Sequence, residues 1–61
     1  MTETDILIVE DDTQIAQLLC DFLRAKGYVV SIALNGEKAM KLYEQYGARL
    51  VILDMMLPEM D

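Results

Sequence analysis

Two short apolar runs constrain this 61-residue sequence most: Ile6-Leu7-Ile8-Val9 and Leu50-Val51-Ile52-Leu53. Neither alternates with polar residues, and each ends on an acidic side chain, Glu10 after the first and Asp54 after the second. A strand with one face in water alternates apolar and polar residues. An unbroken run suits a strand covered on both faces, as in a parallel sheet flanked by helices. Tyr28 to Ala33 is a third strand candidate, and its Ser31 and shorter apolar run point to an edge-like, less buried position. The expected strands span about residues 5–10, 28–33 and 49–54.

Helical periodicity fills the intervals. Between Thr13 and Lys26, the residues Ile15, Leu18, Leu19, Phe22 and Leu23 recur at the spacing of one helical face. Asp12 or Thr13 offers a side-chain oxygen to the first-turn N–H groups. Arg24 and Lys26 sit where the helix dipole favours cations, and Gly27 supplies a left-handed stop. A second helix, from about Gly36 to Tyr46, presents Ala39, Leu42, Tyr43 and Tyr46, with Asn35 as cap and Gly47 as terminator. Asn35-Gly36 also suits a hairpin turn, but the helical period that follows favours the cap.

Strand, helix, strand, helix, strand is the pattern of βαβ units, so the fold class is α/β with a doubly wound parallel sheet. The chain stops at Asp61 with no helix after the third strand, which makes the expected sheet incomplete. Size supports this. A chain near 60 residues buries only about 60% of its unfolded surface, yet 54% of these residues are hydrophobic against about 45–50% in ordinary domains. One cysteine and no histidine leave no disulfide framework and no Cys/His zinc site to compensate. The hydrophobic content excludes disorder.

In such sheets, sites form beyond the carboxyl ends of strands where the winding reverses. If the chain crosses back after its second strand, the first and third become neighbours, giving strand order 2-1-3. Glu10 and Asp11 would then face Asp54 across strands about 4.8 Å apart. Converging carboxylates repel unless a proton or cation relieves them. With oxygen donors alone, the natural ions are Mg²⁺, Mn²⁺ or Ca²⁺, and Mg²⁺ suits a few carboxylates plus a phosphate oxygen best. A carboxylate beside such an ion can attack a phosphoryl group. Asp54 is the better nucleophile and Glu10 and Asp11 the better metal ligands. Taken singly, each acid can equally be a soluble strand end or a helix cap; together at a reversal point they favour chemistry.

These residues carry a resemblance. Ile6–Asp12 (ILIVEDD) with its helix, Asn35–Ala39 (NGEKA) and Leu50–Asp61 (LVILDMMLPEMD) resemble the receiver domain of two-component response regulators over the whole chain. The resemblance implies the N-terminal half of a flavodoxin-like fold and a signalling phosphoacceptor rather than an enzyme. It makes Asp54 the phosphorylated residue and Asp11 a direct Mg²⁺ ligand, with Glu10 binding mostly through water and Met56 lending its backbone carbonyl. Pro58 matches a proline of the following loop, whereas the glycine usual after the position of Asp61 is absent. The family's Thr or Ser and Lys that contact the phosphoryl group have no counterpart, so slow phosphorylation is expected of these 61 residues. The implied partner is a sensor histidine kinase.

An uncovered third strand also predicts a homo-oligomer in which third strands pair across a two-fold axis. A structural half-domain that self-associates without signalling is therefore the alternative function. A haloacid-dehalogenase-like phosphatase needs a second Asp where Met56 stands. A net charge of −6 argues against binding nucleic acid or anionic membranes. The longest apolar runs, at four residues, are far short of the ~20 needed to span a bilayer. With no secretory leader and a lone cysteine, a cytoplasmic setting is expected. Cys20 and Met40 read as core, Met55 and Met56 as packing around the site, and Tyr28, Tyr43 and Tyr46 as the core's edge. Glu37, Lys38, Lys41 and Glu44 read as a solvated helix face.

Overall fold

The computed structural model describes residues 3–53. Its elements are β1 (Ile6–Val9), α1 (Thr13–Ala25), β2 (Val30–Ala33), α2 (Gly36–Tyr46) and β3 (Leu50–Leu53). The three strands form one parallel sheet in the order β2-β1-β3. Ile6 aligns with Val30 and Leu50, and Val9 with Ala33 and Leu53. The architecture is therefore the α/β, 2-1-3 arrangement that the apolar runs predict.

Each helix boundary has a local cause. The Asp12 side chain caps α1. At its other end, Gly27 adopts φ 96, its N–H donates to the Arg24 carbonyl at 2.9 Å, and the Tyr28 N–H donates to the Leu23 carbonyl at 3.3 Å. That bond pair is a Schellman stop, which needs a residue at positive φ and so favours glycine. Tyr28 is thus taken up in ending the helix, and β2 begins at Val30. Asn35 caps α2 through a 2.8 Å bond from the Lys38 N–H, so the cap and not the hairpin turn is formed.

β1 is buried along its length, and its side chains alternate between two cores. Ile6 and Ile8 pack with Cys20 and Val30, flanked by Leu19 and Leu23 of α1. Leu7 and Val9 pack with Ala33, flanked by Ala39 and Leu42 of α2. The helices therefore cover opposite faces of the sheet. Burying an aliphatic side chain of this size contributes about 1.5–3 kcal/mol, so β1 is the main source of cohesion. Thr4 and Ser31 add a 3.2 Å hydroxyl–hydroxyl contact beside it.

The structure corrects several expectations. On α1, Ala16 and Cys20 are the buried residues, while Ile15, Leu18 and Phe22 are exposed, Leu18 to 72%. Ile15 and Phe22 lie roughly 100–120° around the helix from Ala16; the apolar arc is wider than the contact. Small residues at its centre let the helix sit close, and the larger ones fall outside. Met40, expected in the core, is 61% exposed, because α2 packs through Ala39 and Leu42. Tyr28 and Tyr43 are exposed, and Tyr46 marginally so. β3 differs most: an unbroken apolar run, it is nevertheless exposed at Leu50, Val51 and Leu53, since both helices lie over β1 and β2. No helix among the described residues is long and apolar enough to cross a membrane.

Candidate functional site

The site begins where β1 ends. Glu10 follows the strand with its N–H bonded to the Ala33 carbonyl of β2 at 3.0 Å, and its side chain is completely buried. Its Oε2 accepts the Asp12 N–H at 3.0 Å, which curls the chain tightly between β1 and α1. Asp12 then turns its own carboxylate to the helix: Oδ1 accepts the N–H groups of Gln14 at 2.9 Å and Ile15 at 3.2 Å. Asp11, between these two anchored acids, is exposed to solvent. Of three consecutive acidic residues, one shapes the turn, one caps the helix, and the middle one faces water at the carboxyl end of the central strand.

Parallel pairing of β1 and β3 sets Leu53, the last described residue, beside Val9 at this end of the sheet. Asp54 and Met56 lie outside the described residues. Among the described residues, no three acidic or cysteine side chains form a group able to hold a metal ion. Glu10 and Asp11 are the described part of the expected set, and both offer oxygen, the donor that hard divalent cations take. Arg49 lies at the opposite end of β3, beyond four strand residues, or roughly 13 Å at the usual rise. Cys20 is a free cysteine buried in the α1-side core, where it packs as a small apolar side chain.

A buried carboxylate next to an exposed one thus stands at the reversal point of a 2-1-3 sheet, and the response regulator receiver domain family matches residues 6–61. The chain belongs to this family. Receiver domains are signalling modules of two-component systems and partner with sensor histidine kinases. Among curated relatives, the "Probable transcriptional regulator ycf27" of Cyanidium caldarium is 43% identical over 92% of this chain and 22% of its own length. The transcriptional regulatory protein BaeR of Escherichia coli is 41% identical over 92% of this chain and 23% of its own. An uncharacterized 14.6 kDa protein of Leptolyngbya boryana is 36% identical over the whole chain and 47% of its own length. The chain thus spans under half of these relatives. No solved structure matches it.

Sequence reasoning left open whether Asp12 or Thr13 capped α1, and only the hydrogen bonds assign it to Asp12. It also passed over Asp5. The Asp5 carbonyl accepts the N–H groups of Arg49 and Leu50, both at 3.1 Å, and Asp5 Oδ2 accepts the Val29 N–H at 2.8 Å. This one residue ties all three strands at the end opposite the acidic cluster. Nothing in its polar identity, just before an apolar run, marks it for that part.

Proposed function

We propose that this chain is a phosphoacceptor module that takes a phosphoryl group on Asp54, next to a Mg²⁺ site formed by Glu10, Asp11, Asp54 and the Met56 backbone carbonyl. The in-register pairing of β1 and β3 carries the proposal. One trans peptide, about 3.8 Å between Cα atoms, takes the chain from Leu53 to Asp54, just as one takes it from Val9 to Glu10. Two parallel strands in register therefore favour bringing their acidic ends together.

An Asp54 carboxylate oxygen would attack phosphorus while the bond to the donor breaks, leaving an acyl phosphate; a donor imidazole would leave with the bonding pair and keep a ring proton. Mg²⁺, when bound, offsets the repulsion between carboxylate and phosphoryl oxygens. Glu10, fixed by Asp12, holds the turn that aims Asp11, and Asp11 supplies the solvent-facing oxygen. The expected donor is a sensor histidine kinase, the expected setting is cytoplasmic, and the module acts as a switch rather than an enzyme. In the 61-residue chain the reaction is expected to be slow, because the Thr or Ser and the Lys that contact the phosphoryl group in the family have no counterpart in it, and the developing charge loses a stabiliser.

Incubation with Mg²⁺ and acetyl phosphate, followed by intact and peptide mass analysis, tests this. The expected result is slow addition of one phosphoryl group at Asp54, absent without Mg²⁺ and in Asp54→Asn. No addition, or addition elsewhere, refutes it; rapid stoichiometric addition refutes the expected slowness. The exposure of β3 favours a second reading, self-association without signalling. Under it, Asp54 is never labelled and the assembly is the only activity.

A further inference from the structure

Asn35 is the only asparagine in the sequence, and a glycine follows it. In such a pair the glycine nitrogen can attack the asparagine side-chain amide carbon, because no neighbouring side chain hinders it. Gly36 is the first residue of α2, where an N–H has no intrahelical acceptor, so its nitrogen is not committed to the helix ladder. A Cβ built on Gly36 would meet nothing within 4 Å, and both residues are exposed. One contact opposes the reaction. Asn35 Oδ1 accepts the Lys38 N–H at 2.8 Å, with the Asn35 backbone extended at φ −156 and ψ 173. A succinimide ring is nearly planar, so closing it takes Asn35 away from this ψ and withdraws Oδ1 from Lys38.

We propose that Asn35 is a site of spontaneous modification whose rate is set by opening of the first turn of α2. Gly36 N forms a bond to Asn35 Cγ and gives up its proton, and the side-chain nitrogen leaves as ammonia. Water then opens the ring, and no atom is oxidised or reduced. Cleaving the bond between Gly36 N and Cγ leaves aspartate on an ordinary backbone. Cleaving the bond between Gly36 N and the Asn35 backbone carbonyl carbon leaves isoaspartate, in which the chain runs through the side chain.

The two products act differently on α2. Aspartate keeps an acceptor oxygen at the cap and sets a negative charge at the positive end of the helix dipole. Isoaspartate lengthens the backbone by a methylene and turns the capping oxygen into a main-chain carbonyl, so the cap geometry is lost. Either product adds an acid at the end of the sheet where Glu10 lies, since Ala33 ends β2 beside Val9.

Incubation of the 61-residue chain at mildly alkaline pH, in buffer and in guanidinium chloride, followed by peptide mass analysis, tests the proposal. The expected result in buffer is conversion of Asn35 to both products, at least about fivefold slower than in denaturant, the factor that a capping bond supplies. Gly36→Ala, which suits a helix, should slow conversion in denaturant because its methyl hinders the attacking nitrogen. Lys38→Pro removes the N–H that holds Oδ1, in the first turn where proline is tolerated, and should raise the rate in buffer toward the denatured rate. Absence of conversion in buffer overturns the site, and a rate unaffected by Gly36→Ala overturns attack by Gly36. Equal rates in buffer and denaturant overturn the gate, as does a Lys38→Pro rate unchanged in buffer. If Lys38→Pro fails to fold, hydrogen exchange on the unmutated chain decides: the Lys38 amide should be protected, and one as open as in the unfolded chain overturns the gate. Phosphoryl labelling of Asp54 has no part in these readouts, so the two proposals fail separately.

Discussion

Asp12→Ala isolates one contact at the edge of the site and predicts its worth. A helix leaves its first four N–H groups without intrahelical partners, and Asp12 Oδ1 accepts two of those in α1, from Gln14 and Ile15. No acidic residue in the first turn can take over. Removing such a cap costs typically about 1 kcal/mol, within a range of 0.5–2. The Glu10 side chain binds the Asp12 backbone N–H, not its carboxylate, so that bond survives the substitution. Total stability for a chain of this length is about 3–9 kcal/mol, and each kcal/mol moves the midpoint by roughly 4–8 °C. Thermal unfolding followed by far-ultraviolet circular dichroism should show Asp12→Ala melting lower by about that much. Asp12→Asn keeps an acceptor oxygen and should fall close to the unmutated chain. All three are compared at the same protein concentration and ionic conditions, since anything that binds the folded state shifts the midpoint. An unchanged melt for Asp12→Ala, or equal losses in the two variants, refutes the reasoning.

Other outcomes follow from burial and backbone geometry. Ile8 has no exposed surface, so Ile8→Ala should cost about 2–5 kcal/mol and leave much of the population unfolded in denaturant titration at room temperature. Gly27 holds φ 96 with open space where a Cβ would stand, so Gly27→Ala should cost about 1–2 kcal/mol through backbone strain alone, measurable in the same titration. The Cys20 thiol is buried, and a thiol reagent should label it only as fast as the chain opens, with denaturant accelerating the reaction. Mg²⁺ at ten times its dissociation constant should stabilise the chain by about 1.4 kcal/mol, and Asp11→Asn should remove that gain in thermal melts.

Much of the fold was legible because its strongest signals are local. The apolar runs, the 3.6-residue periods and the Asn35, Gly27 and Gly47 terminators each act within one element, and they place β1, α1, β2, α2 and β3 in order. What the runs do not encode is which face finds a neighbour. Leu50–Leu53 and Ile6–Val9 look alike as sequence, yet among the described residues β1 lies between two strands and two helices, while β3 has one strand and neither helix beside it. Ile15, Leu18 and Phe22 share the helical period with Leu19 and Leu23, but tight packing at Ala16 and Cys20 decided which of them touch the sheet. At the site, the acidic run was visible and its division of labour was not. Glu10, Asp11 and Asp12 are chemically similar, and only the turn geometry separates anchor, exposed oxygen and cap.

The account turns on the two acidic strand ends sharing one cation site, and paramagnetic broadening by Mn²⁺ measures that directly. In amide spectra of the 61-residue chain, substoichiometric Mn²⁺ should broaden Glu10, Asp11 and Asp54 together, leaving Arg49 and Asp5 at the far end of the sheet sharp, and excess Mg²⁺ should reverse it. Broadening spread over Asp21, Glu37 and Glu44, or confined to Glu10 and Asp11 while Asp54 stays sharp, would contradict the account.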